Sequence, residues 1–429
     1  MQIGIVGVGG GGTALADALL ADEGRRAVDY IAGAIAVDTD AGDLAALSRV
    51  DEEARHLLGA VHTDGEGTTG DGTLASEIAR EERPELQAAV DSLPVGRTDA
   101  ALVCAALGGG TGAGIAPAVV DLLGQVTATP VYALGVLPGV SETGGEGDAT
   151  DATTDGPKRS ATDEAAALGT DHPGPGSGDD RDAPDAPDAS DRSDHSDHSD
   201  RSERPERPLA SNAAGAVRAL SAASDDLLLA DLDVWRASAA PYAAAWPALD
   251  DAVAGRLGSF LAAGEAADPT PERVLDASEL TNTLGAGGVT ALGSAGAEVE
   301  NGRREGFVGG LLDRIGGADG PAVDEGEAVS VATNAARKAI THRLSLPCDL
   351  TSASRAAVVF HAPPAWLSRR GLERARSLIE EETEVPEIRW GDYPDPTAEE
   401  FRVTVLLSGI SMADRLGALE DDLDPTRLE

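Results

Sequence analysis

In the first third of the chain, short apolar runs alternate with longer stretches of helical spacing. Ile3–Val6, Ile31–Val37, Ala100–Leu107 and Val131–Leu137 read as strands. Between them Thr13–Leu20, Leu74–Val90 and Ile115–Gly124 place apolar residues at helical intervals. Such alternation predicts an α/β fold, Rossmann-like, with a parallel sheet covered on both faces. Further on, Asn212–Ser224 reads as a helix, Leu227–Leu229 as a strand and Ala243–Ala263 as a long central helix. Arg337–Leu344, Ala356–Phe360, Gly371–Glu382 and Arg402–Leu407 suggest a smaller α+β unit. The glycine-rich region 285–328 reads as loops around one amphipathic piece, Phe307–Ile315. With no basic face, that piece reads as a docked loop rather than a membrane contact. The expected divisions are 1–242, a central helix 243–264, an α+β domain 265–421 and a tail 422–429.

Residues 146–208 break this pattern. They hold 18 Asp or Glu, 7 Lys or Arg, 7 Pro, no aromatic residue, and Leu168 as the only large aliphatic one. Such a segment has too little apolar surface to offset its ordering entropy, so it reads as a disordered acidic insert. Its Asp-His repeats, lacking a fixed geometry, read as solvated linker rather than metal ligands.

The 429 residues carry a formal charge of −42, and only Lys158 and Lys338 are lysines. Removing the insert's −11 leaves −31 on the remaining 366 residues. The balance argues against nucleic acid and anionic lipid as partners, which call for clustered cations. At 1 M salt the Debye length falls to about 3 Å, and self-repulsion on this scale is largely screened. A high-salt cytoplasm is therefore the expected location. Cys104 and Cys348 are too few for a disulfide framework. No apolar run approaches a membrane span, and Met1–Val6 leads straight into a glycine loop as a first strand rather than a signal peptide.

The chemistry lies in the glycines. Gly7-Val8-Gly9-Gly10-Gly11-Gly12 follows the first strand and opens a helix, which lets backbone N–H groups approach a phosphate. Alone, with Asp38 at the end of the second strand, it also fits the dinucleotide fingerprint of an NAD-dependent oxidoreductase. A second loop, Gly108-Gly109-Gly110-Thr111-Gly112-Ala113-Gly114, sits at another strand–helix turn. Two such turns in one sheet can grip a polyphosphate from two sides, whereas a dehydrogenase needs only the first.

These residues resemble the tubulin/FtsZ superfamily, whose signature is a Gly-Gly-Gly-Thr-Gly-Ser/Ala-Gly loop. Ala36-Val37-Asp38-Thr39-Asp40 resembles the family's second nucleotide loop. Gly65–Leu74, with Gly70, Asp71 and Gly72, resembles the loop facing the terminal phosphate, and Pro138-Gly139-Val140-Ser141-Glu142 the ribose loop. Asp231–Arg236, Ser345-Leu346-Pro347-Cys348, Gly391-Asp392-Tyr393-Pro394 and Leu406-Leu407-Ser408-Gly409 look like the CetZ branch, the haloarchaeal tubulin-like proteins, rather than division-type FtsZ. The resemblance implies a GTPase domain, a central helix and a C-terminal α+β domain. It also implies GTP with Mg²⁺, head-to-tail protofilaments of this chain, other tubulin-like proteins as further partners, and a role in cell shape.

By that resemblance Gly9, Gly10, Gly11, Gly12, Thr13, Asp38, Gly70, Asp71, Gly72, Gly108, Gly109, Gly110, Thr111 and Gly112 hold the nucleotide, and Glu142 its ribose. Trp246 and Asp250 are one helical turn apart: a Trp can stack on a purine, and a carboxylate can accept from guanine N1–H and its amino group. The competing reading makes Trp246 simple core packing. Leu275–Asn282 resembles the acidic loop by which one subunit completes the next subunit's site, with Asp276 and Glu279 orienting the attacking water. The same Asp276-x-x-Glu279 spacing also reads as a helix cap, and the two roles are compatible. No metal ligand is assigned.

Several positions depart from the branch. Gly72 and Thr73 stand where it tends to carry Asn and Glu, Leu232 where an Asn contacts the base, and Asp38 where Asn is common. The expectation is a GTP-binding, self-assembling protein with slow, assembly-dependent hydrolysis. The alternatives are a nucleotide-regulated scaffold without efficient turnover or polymerisation and, more remotely, the oxidoreductase.

Overall fold

The computed structural model describes residues 1–26, 28–139, 209–237, 240–263, 271–299, 323–342, 344–412 and 415. The insert 146–208, Glu142, Phe307–Ile315 and the tail 422–429 lie outside the described residues. In chain order the elements are β1 (Ile3–Val8), α1 (Gly9–Arg26), β2 (Ile31–Asp38), α2 (Ala41–Ala46), β3 (Arg55–Leu57) and α3 (Ala60–Thr63). Then come α4 (Gly72–Glu81), α5 (Arg83–Asp91), β4 (Ala100–Ala106), α6 (Gly110–Val126) and β5 (Val131–Leu137). The next run is α7 (Leu209–Ala223), β6 (Asp226–Asp231), α8 (Trp246–Leu261), α9 (Ala277–Leu284) and β7 (Val289–Glu298). Last are α10 (Glu325–Thr341), β8 (Arg355–Ala362), α11 (Arg369–Thr383), β9 (Ile388–Pro394) and β10 (Glu400–Ile410).

The strands form one sheet in the order β3-β2-β1-β4-β5-β6-β7-β10-β8-β9. It is parallel from β3 through β7, antiparallel where β10 lies between β7 and β8, and parallel again between β8 and β9. All six residues of β1 are buried, because helices cover both faces. Val6 and Val8 point to the face covered by α4–α7, α10 and α11, while Ile3 and Ile5 point to the face of α1, α8 and α9. Acidic side chains cap several helices: Asp40, Asp71, Asp276 and Asp324 each accept backbone N–H groups at a helix start.

β6 and β7 pair only at Leu227–Val289 and Leu228–Thr290. Beyond that point Ser345 stitches them together. Its Oγ donates to the Leu229 carbonyl at 2.7 Å and accepts from Leu292 N–H at 2.8 Å. Its carbonyl accepts from Asp231 N–H, and its own N–H donates to the Leu292 carbonyl. Ser345, the first residue of the Ser345-Leu346-Pro347-Cys348 motif, thus joins β6 to β7 where their direct pairing ends.

Three elements differ from the sequence reading. The helix expected across Leu74–Val90 is two, α4 and α5, restarted with Pro84 in the first turn, where a missing N–H costs no hydrogen bond. The region 285–328 is not all loop, since Val289–Glu298 forms the ten-residue strand β7. Its Gly293 marks close packing rather than a turn: a Cβ there would stand 2.1 Å from the Ala339 carbonyl on α10. The third difference is the glycine loop after β1, which is itself the first turn of α1 rather than a lead-in to a helix at Thr13.

The central helix α8 follows a 3₁₀ turn, Tyr242–Ala245, and packs chiefly on α1. Arg26 Nη2 on α1 donates to the Gly255 carbonyl at 2.7 Å and to Ser259 Oγ at 3.2 Å, while its Nε holds Asp22. The amino terminus donates to the Leu261 carbonyl at 2.9 Å, placing a positive charge at the negative end of the α8 dipole.

Candidate functional site: converging glycine loops and a distant acidic loop

Four loops leave the carboxyl ends of adjacent parallel strands, β2, β1, β4 and β5, the edge where open α/β sheets bind ligands. The two glycine loops touch. A Cβ on Gly9, which has φ +70°, would lie 2.8 Å from Gly112 N, and one on Gly112 would lie 2.3 Å from the Ala106 carbonyl. Only glycine fits this approach, and it leaves backbone N–H groups as the lining. Thr13 Oγ1 turns back to the Gly10 carbonyl at 3.0 Å and is fully buried.

Thr111 ties the second glycine loop to two others. Its hydroxyl lies 2.7 Å from that of Thr39 and 3.2 Å from that of Thr68. Asp38 is completely buried at the end of β2, and its Oδ1 accepts from Thr39 and Asp40 N–H at 2.7 and 3.2 Å. Asn212 on α7 closes the circuit, donating to the carbonyls of Gly70 at 2.9 Å and Gly108 at 3.0 Å. Gly70, Asp71, Gly72 and Gly108–Gly112 are therefore brought together. One oxygen of the Asp71 carboxylate, Oδ1, has a structural task. It caps α4, accepting from Thr73 and Leu74 N–H at 2.9 and 3.0 Å.

Trp246 and Asp250 sit on α8 against the first loop. A Cβ on Gly11 would lie 3.0 Å from Cη2 of the Trp246 ring. Asp250 is buried one turn on, and together with burial, the larger cause, its charge pushes the Cys104 thiol up. Of the ribose loop, only Pro138 and Gly139 are described; Glu142 lies beyond them. Arg415 braces that loop from the far end of the chain, donating to the Pro138 carbonyl at 2.6 Å and to Asp231 Oδ2 at 2.7 Å. Burial pushes the Asp231 carboxyl up, and the Arg415 guanidinium pulls it part of the way back.

The acidic loop lies elsewhere. α9 feeds β7, which begins beside Leu227 at the amino-terminal end of β6, the end of the sheet away from the glycine loops. Asp276 caps α9, its Oδ1 accepting from Glu279 N–H at 2.8 Å. The reciprocal half of a capping box is absent among the described residues: Glu279 Oε2 is buried and makes no hydrogen bond. The chain before Asp276 is held by β9. Asp392 accepts from Glu272 and Arg273 N–H, and Tyr393 Oη accepts from Leu275 N–H.

Residues 2–152 match the family described as "Tubulin/FtsZ family, GTPase domain", and residues 242–423 match "Tubulin-like CetZ, C-terminal domain". Tubulin-like protein CetZ1 of Haloferax volcanii is 32% identical over 424 residues, spanning 98% of this chain and 91% of that relative. The chain belongs to the CetZ family of tubulin-like proteins. Its fold agrees with that of two solved CetZ structures from Haloferax volcanii. The GDP-bound CetZ1 monomer superposes with a TM-score of 0.71 at 28% identity, covering 98% of each chain. The GTPγS-bound CetZ2 protofilament gives 0.72 at 26% identity, covering 100% of each chain. The tubulin/FtsZ fold expected from the glycine motifs is thus the fold of this CetZ-family chain.

Asn212 and Arg415 stood outside the sequence reading of the site, and Thr39 and Thr68 entered it only as members of their loops. Asn212 stands 104 residues from Gly108, Arg415 184 from Asp231, and no local pattern connects either pair. Among the described residues no cluster of three His, Cys, Asp or Glu side chains forms a metal cage. No helix among them is long and apolar enough to cross a membrane.

Proposed function

We propose that this CetZ-family chain binds GTP in the cradle of the two glycine loops, assembles head to tail, and hydrolyses GTP slowly at a site completed by the next subunit. The supporting observation is a division of labour within one chain. The phosphate-binding N–H groups gather at the carboxyl ends of β1 and β4, while Asp276 and Glu279 sit on a helix leading to the opposite end of the sheet. A second copy stacked end to end brings those acids to the first copy's nucleotide.

In this reading Gly9–Gly12, Thr13, Asp38, Gly70–Gly72 and Gly108–Gly112 cradle the phosphates, and the dipoles of α1 and α6 favour their charge. Trp246 stacks on the base, Asp250 selects guanine, and Glu142 holds the ribose. Mg²⁺ arriving with the nucleotide would supply charge neutralisation at the γ-phosphate. Asp276 and Glu279 orient the attacking water and accept its proton. Residues 1–242 form the nucleotide-binding part, 243–264 the central helix and 265–421 the C-terminal part. The setting is a high-salt cytoplasm and the cellular role is shape control.

One observation favours a second reading, a polymer that holds GTP with little turnover: Oδ1 of Asp71, the acid of the loop before α4, is taken up in capping that helix. Titration of GTP, ATP and NAD binding, with light scattering and phosphate release followed in molar KCl, tests both. The proposal expects scattering and phosphate with GTP alone. Scattering without phosphate supports the second reading, and binding of NAD in place of GTP refutes both.

A further inference from the structure

The β9 segment Gly391-Asp392-Tyr393 holds the chain at Glu272, Arg273 and Leu275, just before Asp276. Asp392 is 3% exposed, and its two carboxylate oxygens divide between neighbouring amides. Oδ1 accepts from Arg273 N–H at 2.7 Å and Oδ2 from Glu272 N–H at 3.1 Å. The Asp392 N–H returns a bond to the Arg273 carbonyl at 3.0 Å. One step on, Tyr393 Oη accepts from Leu275 N–H, also at 3.0 Å. The Arg273 guanidinium lies over the Trp390 ring, 4.9 Å from its centroid. At Gly391 a Cβ would stand 2.9 Å from Leu275 N, so loop and strand are in backbone contact. β9 is an outer strand of the sheet, and the loop covers part of it. Immediately after the last of these anchors comes Asp276, which fixes Glu279 through the α9 cap.

Resting on the reading that Asp276 and Glu279 complete a neighbour's site, we propose that Asp392 and Tyr393 are positioning residues for GTP hydrolysis in the adjoining subunit. They touch neither nucleotide nor water in this scheme; they set where the acids stand. Ionised acceptors give the stronger hydrogen bonds, and a carboxylate taking two successive amides leaves a short loop little freedom to shift. Hydrolysis by oriented water is sensitive to such shifts, since a displacement of about 1 Å can cost on the order of 10²-fold in rate.

The test compares wild type, Asp392→Asn, Asp392→Ala, Tyr393→Phe and Glu279→Gln, each as the full chain in molar KCl with GTP. Turnover is measured per polymerised subunit, alongside GTP binding by the monomer and thermal unfolding. Turnover should fall about tenfold in Asp392→Asn, which keeps one acceptor, and on the order of 10²-fold in Asp392→Ala. KM and monomer affinity for GTP should stay unchanged. Tyr393→Phe, which removes the acceptor for Leu275 N–H and the longer donor contact to the Leu275 carbonyl, should lose several-fold and gives the answer if the Asp392 variants fail to fold. Variants that do not assemble alone are co-polymerised with excess wild type and scored per incorporated copy.

If Glu279→Gln abolishes turnover while the Asp392 and Tyr393 variants match wild type, the positioning role is wrong and the shared-site reading stands. If Glu279→Gln itself matches wild type, the shared-site reading fails. Loss of GTP affinity in parallel with turnover would make the clamp a general structural support and overturn the proposal.

Discussion

The hydroxyl oxygens of Thr39 and Thr111 lie 2.7 Å apart although 72 residues separate them, and both side chains are completely buried. Through this contact the loop after β2 and the glycine loop after β4 form one surface, to which Thr68 adds the loop before α4. Thr111→Val leaves the Thr39 and Thr68 hydroxyls without this partner, at a cost of about 1–3 kcal/mol. GTP affinity should fall roughly 5- to 150-fold, and the unfolding midpoint should drop. Isothermal titration and denaturant unfolding in molar KCl measure the two effects; unchanged affinity would remove Thr111 from the site.

Trp246 separates base stacking from core packing. Base–aromatic stacking is worth about 1–3 kcal/mol per base. Trp246→Ala should therefore weaken GTP binding by roughly 5- to 150-fold, and Trp246→Phe by less. Asp250→Asn should lessen the preference for GTP over ATP. If Trp246→Ala lowers stability but leaves nucleotide affinity alone, the ring is packing only.

Asp226 makes stability depend on pH. It lies buried at the start of β6, where Ser408 Oγ on β10 donates to its Oδ2 at 3.1 Å. Burial pushes its carboxyl up from 3.8 to about 7, against smaller downward pulls from the Thr290 and Ser408 hydroxyls. The folded state thus keeps a proton that the unfolded chain releases near pH 4. The stabilisation is fully present below that pH and is lost as pH rises through about 7. Between pH 4 and 7, wild type should lose up to about 1.4 kcal/mol per pH unit relative to Asp226→Asn. Parallel stability curves for the two proteins would contradict this.

The charge of −42 sets a salt requirement. Screening shortens to about 3 Å at 1 M salt, so both folding and the stacking of like-charged subunits should strengthen toward molar KCl. Thermal unfolding and light scattering, each recorded from 0.1 to 3 M KCl, should rise together. A flat response in both would refute it.

The parallel sheet, the central helix and the glycine loops were legible because each is local: a buried run, a helical period, a strand–glycine–helix turn. β7 was not, because Gly293 and Gly296 look like loop residues until α10 is seen against Gly293 and the Glu400 side chain of β10 over Gly296. Asp71 was read as an acid facing phosphate, and its use as a cap shows only in the geometry of α4. Asn212, Ser345 and Arg415 act across more than 50 residues, joining elements that sequence spacing does not relate. The motif Gly391-Asp392-Tyr393-Pro394 marked the family in the sequence, while its hold on the acidic loop became visible only in the fold.

The most direct measurement is phosphate release per molecule as protein concentration is raised through the onset of light scattering, in molar KCl with saturating GTP. A site shared between subunits predicts almost no release below the onset and a steep rise above it, abolished by Glu279→Gln. A rate per molecule that stays constant across the same range would contradict it, because a single chain would then hydrolyse GTP without its neighbour.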